Sequence, residues 1–267
     1  ILGQGLGTLF AAAMIPGLLL AGIYVLYLLV VGWLWPADER AAMSKAQLLV
    51  KVVKVVVPPI LLIVAVLGSI IGGIAAPTEA ASVGALGSIL VAAAARRLTW
   101  RVLTETVRGT LRISAMVFFI LICAQAFSLA FRGLDGDELV AQLFALVPGG
   151  PTADLVFMLF LLFVLGFFME WIEICYIVLP LFLPVFAGTD VDMVWVAILV
   201  CLVLQTSFLT PPVGWSLFFL KGVAPPEVSS RDIYVGVMPY VALQVVAIVL
   251  LFQFPEIATW LPKAIGW

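Results

Sequence analysis

The sequence predicts an all-α, multi-pass membrane protein with a re-entrant helical hairpin and a broken transmembrane helix. Three observations carry that expectation. Of its 267 residues, 65% are hydrophobic and 10% charged, with a mean hydropathy of +1.28, whereas a soluble domain carries about 25% charged residues. Several apolar runs reach the ~20 residues a helix needs to cross the hydrocarbon core. Two of the apolar stretches are interrupted by glycine, proline and hydroxyl residues, GGIAAPTEAASVG at 72–84 and TSFLTPPVG at 206–214. Open backbone and ionisable groups at membrane depth are costly, because lipid cannot hydrogen-bond them.

The elements follow in order. Residues 9–35 form a first span, with Trp33 and Trp35 near its end, where indoles favour the interface, and Pro36 after it. Residues 37–55 carry Asp38, Glu39, Arg40, Lys45, Lys51 and Lys54 among apolar residues. This pattern predicts an amphipathic helix lying on the membrane surface. Two apolar arms, 56–71 and 79–95, are joined by the Gly/Pro turn and make a hairpin over 56–95. The second arm runs into Arg96, Arg97, Arg101, Arg108 and Arg112. A span at 113–131 follows, and then a polar segment at 132–154 with Asp135, Asp137, Glu138 and Asp154. A long apolar stretch at 155–186 is expected to bend near Pro180 and Pro184. Another covers 192–222, interrupted at 210–214, and a last span covers 233–253. The whole reads as a single membrane domain, 1–267.

Charge sets an orientation. Nine of the 13 basic residues lie in 37–55 and 96–112, and basic residues near span ends stay in the cytoplasm. Both flanks of the hairpin are then cytoplasmic, the 132–154 segment is outside, and the C-terminus with Lys263 is inside. Two full crossings and a re-entrant hairpin give the same sidedness. The arms, short by this reading, favour the hairpin.

Composition also excludes. A net charge of −2 offers nothing to a polyanion, so nucleic acid is not a partner. The absence of histidine removes the commonest general base and metal ligand. Cys123, Cys175 and Cys201 each lie in an apolar run without ligand spacing and read as small buried hydrophobes. No nucleophile–base pair or metal cluster suggests an enzyme, and no cofactor is expected. The chain opens at Ile1 without a signal-peptide pattern, and is expected to be part of a longer protein.

Three places could carry chemistry. At the hairpin tip, Gly72 and Gly73 permit backbone that other residues avoid, and Pro77 suits the start of a new helix. Carbonyls at the end of the first arm can face a cation, and N–H groups at the start of the second an anion. The alternative is a plain turn with Thr78 as N-cap and Glu79 favoured by the helix dipole. At 205–214, Pro211 and Pro212 remove two backbone donors and free carbonyls upstream. Thr206, Ser207 and Thr210 cluster before the break and Gly214 follows it. Broken helices of this kind line ion and substrate sites in transporters, although a simple kink is the alternative. Glu170 and Glu173, three apart, share a helix face. They could hold a cation or proton within the membrane, or sit near an interface beside Trp171 and Tyr176.

The pieces GGIAAPTEAASVGAL at 72–86, FLTPPVGWSLFFLKGVAPPE at 208–227 and IPGLLLAGIYVLYLL at 15–29 resemble, in order and spacing, the large membrane subunit (DctM type) of tripartite ATP-independent periplasmic, or TRAP, transporters. The resemblance covers nearly the whole chain. One departure is Ala76, where the family's tip usually has threonine or a similar residue.

The resemblance implies one half of an inverted-repeat, elevator-type transporter. This chain corresponds to the second repeat, with 9–35 as its approach helix and scaffold. The first repeat's hairpin and Pro-Pro break are not among these residues, so the chain alone is not expected to transport. The family implies uptake of organic acids with sodium across the bacterial inner membrane. It also implies a small four-helix membrane subunit and a periplasmic substrate-binding protein as partners. By that resemblance Gly73, Ala76, Pro77, Thr78, Thr206, Thr210, Pro211, Pro212 and Gly214 are expected as sodium ligands or as backbone shaping the sodium and substrate site, with Glu79 either joining them or capping. Another ion-coupled organic-anion carrier of similar hairpin architecture is the alternative, and an assembly subunit without a solute path is a further class.

Overall fold

A computed structural model describes residues 3–34, 44–186, 188–211, 214–225 and 227–266. Every regular element among them is a helix. We label them α1 (Leu6–Leu34), α2 (Lys45–Ile71), α3 (Pro77–Ala94), α4 (Trp100–Gly133), α5 (Gly136–Ala145), α6 (Pro151–Leu165), α7 (Trp171–Phe186), α8 (Met193–Ser207), α9 (Trp215–Val223), α10 (Ser230–Gln253) and α11 (Glu256–Ala264). Five of these, α1, α2, α3, α4 and α10, are long and apolar enough to cross a membrane. The chain is therefore an all-α polytopic membrane protein.

Local chemistry sets the helix ends. Ser44 Oγ accepts the Gln47 N–H, and the Gln47 side chain accepts the Ser44 N–H, both at 3.2 Å, opening α2 with a capping box. Asp192 Oδ1 accepts the N–H groups of Val194 and Trp195 to start α8. Ser229 and Asp232 make the same reciprocal box for α10.

Helix boundaries differ from expectation in three places. The surface helix expected over 37–55 and the first arm over 56–71 are one helix, α2, from Lys45 onward; Asp38, Glu39, Arg40 and the rest of 35–43 lie outside the described residues. Pro58 and Pro59 sit inside α2, and removing two N–H donors does not end it. At 27 residues, α2 spans about 40 Å. The shortness that favoured a re-entrant arm is therefore not a property of α2. The Arg-rich segment and the span at 113–131 likewise fuse into the 34 residues of α4. In 155–186 the chain breaks at Gly166–Glu170, between α6 and α7. It does not break at Pro180, because a π-turn at Ile174–Val178 shifts the bonding register just before that proline: the Leu179 N–H reaches the Ile174 carbonyl. Pro184 falls in a final 3₁₀ turn, Leu183–Phe186. The polar 132–154 segment contains α5.

The chain divides into two compact units, residues 1–4, 12–24 and 114–267 in one, and 5–11 and 25–113 in the other. The first is organised around α8. From Val196 to Leu204 all its residues but Cys201 are buried, against α6, α10 and α11. A helix packed on most of its circumference needs apolar residues all round, which is what α8 has. Leu155, Met158, Leu162, Leu199 and Leu251 are fully buried there. Two polar ties cross this core. Trp195 Nε1 donates to the Leu251 carbonyl at 2.9 Å. Gln244, 0% exposed, donates through Nε2 to the Leu202 carbonyl at 3.3 Å and accepts from Tyr24 Oη at 3.3 Å.

The second unit contains the α2–α3 hairpin. A Cβ on Gly84 would stand 3.1 Å from Val66 Cγ2, and one on Gly87 would overlap Leu62 Cδ1. Small residues on α3 thus let the two helices approach closely, as membrane helices do. The cysteines are unpaired; Cys175 is half-buried, but Cys123 and Cys201 are exposed rather than buried, which an apolar helix facing lipid tolerates.

Candidate functional site

The hairpin tip is built by a helix end. α2 closes in a Schellman motif: Gly73, at φ +66, donates to the Ile70 carbonyl at 3.0 Å and Ile74 to Ser69 at 2.9 Å. Ala75 adds a second bond to Ser69 at 3.2 Å. The carbonyls of Gly68, Ser69 and Ile70 are therefore occupied. Those of Ile71, Gly72, Gly73, Ile74 and Ala75 accept nothing from the described residues. The available oxygens lie one turn later than the last turn of the arm.

Pro77 is the first residue of α3 and Ala76 its N-cap. Glu79 Oε2 accepts the Ala76 N–H at 2.9 Å. Glu79 thus makes half of a capping box, and Ala76 offers no side-chain oxygen for the other half. That geometry supports the capping role for Glu79. Thr78 is exposed, and it caps nothing: its hydroxyl has no hydrogen-bond partner among the described residues. The Thr78 and Glu79 N–H groups are also without an acceptor there, as the first turn of a helix leaves them.

The second break lies in the other unit. α8 ends at Ser207, and Phe208 and Leu209 turn back with N–H bonds to Gln205 at 3.3 Å and Thr206 at 2.9 Å. Pro211 has no N–H, so the Ser207 carbonyl has lost its helical partner. Gly214 donates to Thr210 at 2.9 Å, and Ser216, at the start of α9, donates to Phe208 at 3.1 Å. Pro212 and Val213 lie outside the described residues. Thr206 and Thr210 are 1% and 4% exposed. Thr206 Oγ1 donates to the Val203 carbonyl at 2.6 Å, Ser207 Oγ to Leu204, and Thr210 Oγ1 to the Thr206 carbonyl at 3.1 Å. Each hydroxyl has spent its proton on the helix, and its oxygen remains able to accept or to coordinate.

Glu170 and Glu173 sit at the α6–α7 break. Glu173 accepts the Glu170 N–H at 3.3 Å and so caps α7. Both are partly exposed. The neighbourhood was less legible. A Cβ on Gly166 would lie 3.0 Å from Ser207 Cβ, and the Trp171 and Phe208 rings are 6.5 Å apart. The α6–α7 and α8–α9 breaks are therefore neighbours. The signal in the sequence was Gly166 within an otherwise bulky apolar run.

The structure thus groups Thr206, Thr210, Pro211 and Gly214 in one break beside Glu170 and Glu173. It groups Gly73, Ala76, Pro77, Thr78 and Glu79 at the hairpin tip. The two groups belong to different units. Among the described residues no cluster of three or more His, Cys, Asp or Glu could hold a metal. Besides the carboxylates of Glu79, Glu170 and Glu173, both places offer neutral carbonyl and hydroxyl oxygen, a ligand set for hard cations rather than transition metals.

Comparison with known proteins places this arrangement. The family described as the DctM component of the tripartite ATP-independent periplasmic transporter matches residues 1–257. The large permease protein of the ectoine TRAP transporter of Halomonas elongata is 27% identical over 97% of this chain and 60% of its own length. The permease protein of the sialic acid TRAP transporter of Haemophilus influenzae is 28% identical over 98% of this chain and 42% of its own. The large permease protein of the C4-dicarboxylate TRAP transporter of Vibrio cholerae is 27% identical over 96% and 60%. The chain spans between 42% and 60% of these relatives. They are transport permeases and not enzymes. This chain belongs to the family of DctM components of tripartite ATP-independent periplasmic transporters.

Proposed function

We propose that the protein is part of the large membrane subunit of a sodium-coupled TRAP system that imports organic acids. The observation that carries this is the α8–α9 break, where Thr206 and Thr210 are buried in the same turn as the Ser207 carbonyl that Pro211 leaves without its helical partner. Buried polar groups in a membrane helix are retained for a path or a ligand. Neutral carbonyl and hydroxyl oxygens suit sodium, and the unused carbonyls at 71–75 supply the same chemistry at the hairpin tip. Thr78, Thr206 and Thr210 contribute hydroxyls in this reading, and Gly73, Ala76, Pro77, Pro211, Pro212 and Gly214 shape the backbone. A re-entrant α2–α3 hairpin would place its tip in protein rather than in water.

The three relatives described above are named for ectoine, sialic acid and C4-dicarboxylates, and a further one is named for isethionate, a sulfonate. All four compounds carry an anionic oxygen group, a carboxylate in the first three, which fits the N–H groups left open at Thr78 and Glu79. Family membership supports a small membrane subunit and a periplasmic binding protein as partners. It also supports an inner-membrane location, and the basic flanks support a cytoplasmic C-terminus. Because the chain spans only part of its relatives, the activity is proposed for the full-length protein.

The test is uptake in proteoliposomes holding the full-length protein and its small subunit, with the binding protein and its carboxylate added outside. An inward sodium gradient should drive accumulation, and an equal potassium gradient should not. Equal uptake with both would overturn the sodium reading and favour a carrier coupled to another ion.

A further inference from the structure

We propose that the α3–α4 connection forms a binding surface for anionic phospholipid headgroups, made by Arg96, Arg97, Arg101, Arg108 and Arg112. All five are exposed. On α4, Arg101, Arg108 and Arg112 are seven and four residues apart, which puts them within about 20° of one line along the helix. That line is about 16 Å long. Its acid is Glu105, paired with Arg101 at 2.8 Å with both side chains open to solvent. Such an exposed pair is weak and exchangeable. Among the described residues Arg96, Arg97, Arg108 and Arg112 have no carboxylate partner.

The length of α4 fixes where this stripe lies. Its 34 residues measure about 51 Å, more than the full thickness of a bilayer with headgroups. The apolar part from 113 to 131 fills about 28 Å, close to the thickness of the hydrocarbon core. The arginine stripe therefore begins where the hydrocarbon ends, at headgroup level. Trp100, 81% exposed, stands at the outer end of the stripe, and Val102, Val107 and Leu111 are interleaved with it, the composition of an interfacial helix.

The backbone at Arg96 gives a second, independent observation. α3 closes in the same Schellman motif as α2: Arg96 donates to Ala93 and Arg97 to Ala92, each at 2.9 Å. The left-handed position is Gly73 in α2, at φ +66, but Arg96 in α3, at φ +55. A side chain is disfavoured in that conformation and glycine is the usual occupant. An arginine held there against its backbone preference points to a use for the guanidinium. Charge complementarity selects the occupant: five arginines against one acid, starting at headgroup depth with Arg112, match phosphate groups, which arginine binds through bidentate hydrogen bonds.

The experiment reconstitutes the full-length protein in phosphatidylcholine vesicles containing either brominated phosphatidylglycerol or brominated phosphatidylcholine. Tryptophan quenching is measured, and Trp100→Phe isolates the Trp100 signal. The expected relative binding constant favours phosphatidylglycerol by at least about fivefold, the effect of one basic residue at a membrane surface, and 0.5 M NaCl should reduce it. R101Q/R108Q/R112Q should bring the ratio near 1. Arg96→Gly, which relieves the backbone and should fold at least as well, should lower it by about twofold or more. A ratio of 1 in the unaltered protein overturns the proposal, as does a preference untouched by both variants. If the triple variant instead loses its small membrane subunit while the lipid ratio is unchanged, the stripe binds an acidic protein surface and the lipid assignment fails.

Discussion

Gly87→Val should wedge the α2–α3 hairpin apart. A Cβ at Gly87 already overlaps Leu62 Cδ1, and valine adds two further methyl groups on a stiff, β-branched stem. Leu62 is a flexible side chain, so one added carbon can be absorbed by a rotamer change, but three cannot without moving a helix. Overpacking of this kind costs about 1–3 kcal/mol, which corresponds to a fall in Tm of about 2–12 °C for 150–250 residues and less in a longer protein. The assay is thermal unfolding of the purified full-length protein in detergent, compared across Gly87→Ala, Gly87→Val and Gly87→Val with Leu62→Ala. The alanine variant should lose little. The double variant should recover at least half of the valine loss, because Leu62→Ala removes the branch that valine strikes. An unchanged Tm for Gly87→Val, or no recovery in the double variant, would refute the close approach of α3 to α2 at this point.

Further outcomes follow from the same geometry. Ala76→Ser should complete the box that Glu79 half makes and raise stability by about 0.5–2 kcal/mol, read as a higher Tm. Glu79→Gln should keep protein level and uptake, since the amide oxygen still accepts the Ala76 N–H, whereas Glu79→Ala should lower the Tm; equal loss in both would mean that the charge matters and the cap does not. Tyr24→Phe deprives Gln244, 0% exposed, of a donor, and should destabilise by about 1–3 kcal/mol in a thermal melt.

The membrane class was legible because it depends on bulk composition, which folding cannot alter. Both interruptions were legible because proline and glycine act locally: Gly73 takes the left-handed position and Pro211 frees a carbonyl wherever they fall. Helix lengths were less legible. Charged residues such as Lys51 and Lys54 looked like a boundary, yet α2 runs through them, since an exposed lysine does not break a helix. Pro180 looked like a bend, yet a π-turn absorbs it. The neighbouring of Gly166 with Ser207 was not legible, because it depends on packing between segments about 40 residues apart, and one chain's pattern does not encode which faces meet. Glu79 and Glu173 each reach a backbone N–H three residues back, a pattern present in the sequence but shared with functional pairs.

The central claim is that the hydroxyl-lined break holds the coupling sodium. Its most direct test is the sodium concentration for half-maximal uptake by the full-length protein with its partners, measured for Thr206→Val and Thr210→Val. Losing the Thr210 hydroxyl leaves the Thr206 carbonyl bonded to the Leu209 N–H at 2.9 Å, so the fold should lose only about 1 kcal/mol. The account predicts normal protein levels and at least about a tenfold higher half-maximal sodium concentration, the equivalent of about 1.4 kcal/mol of lost coordination. An unchanged sodium concentration in both variants, with both well folded, would contradict it.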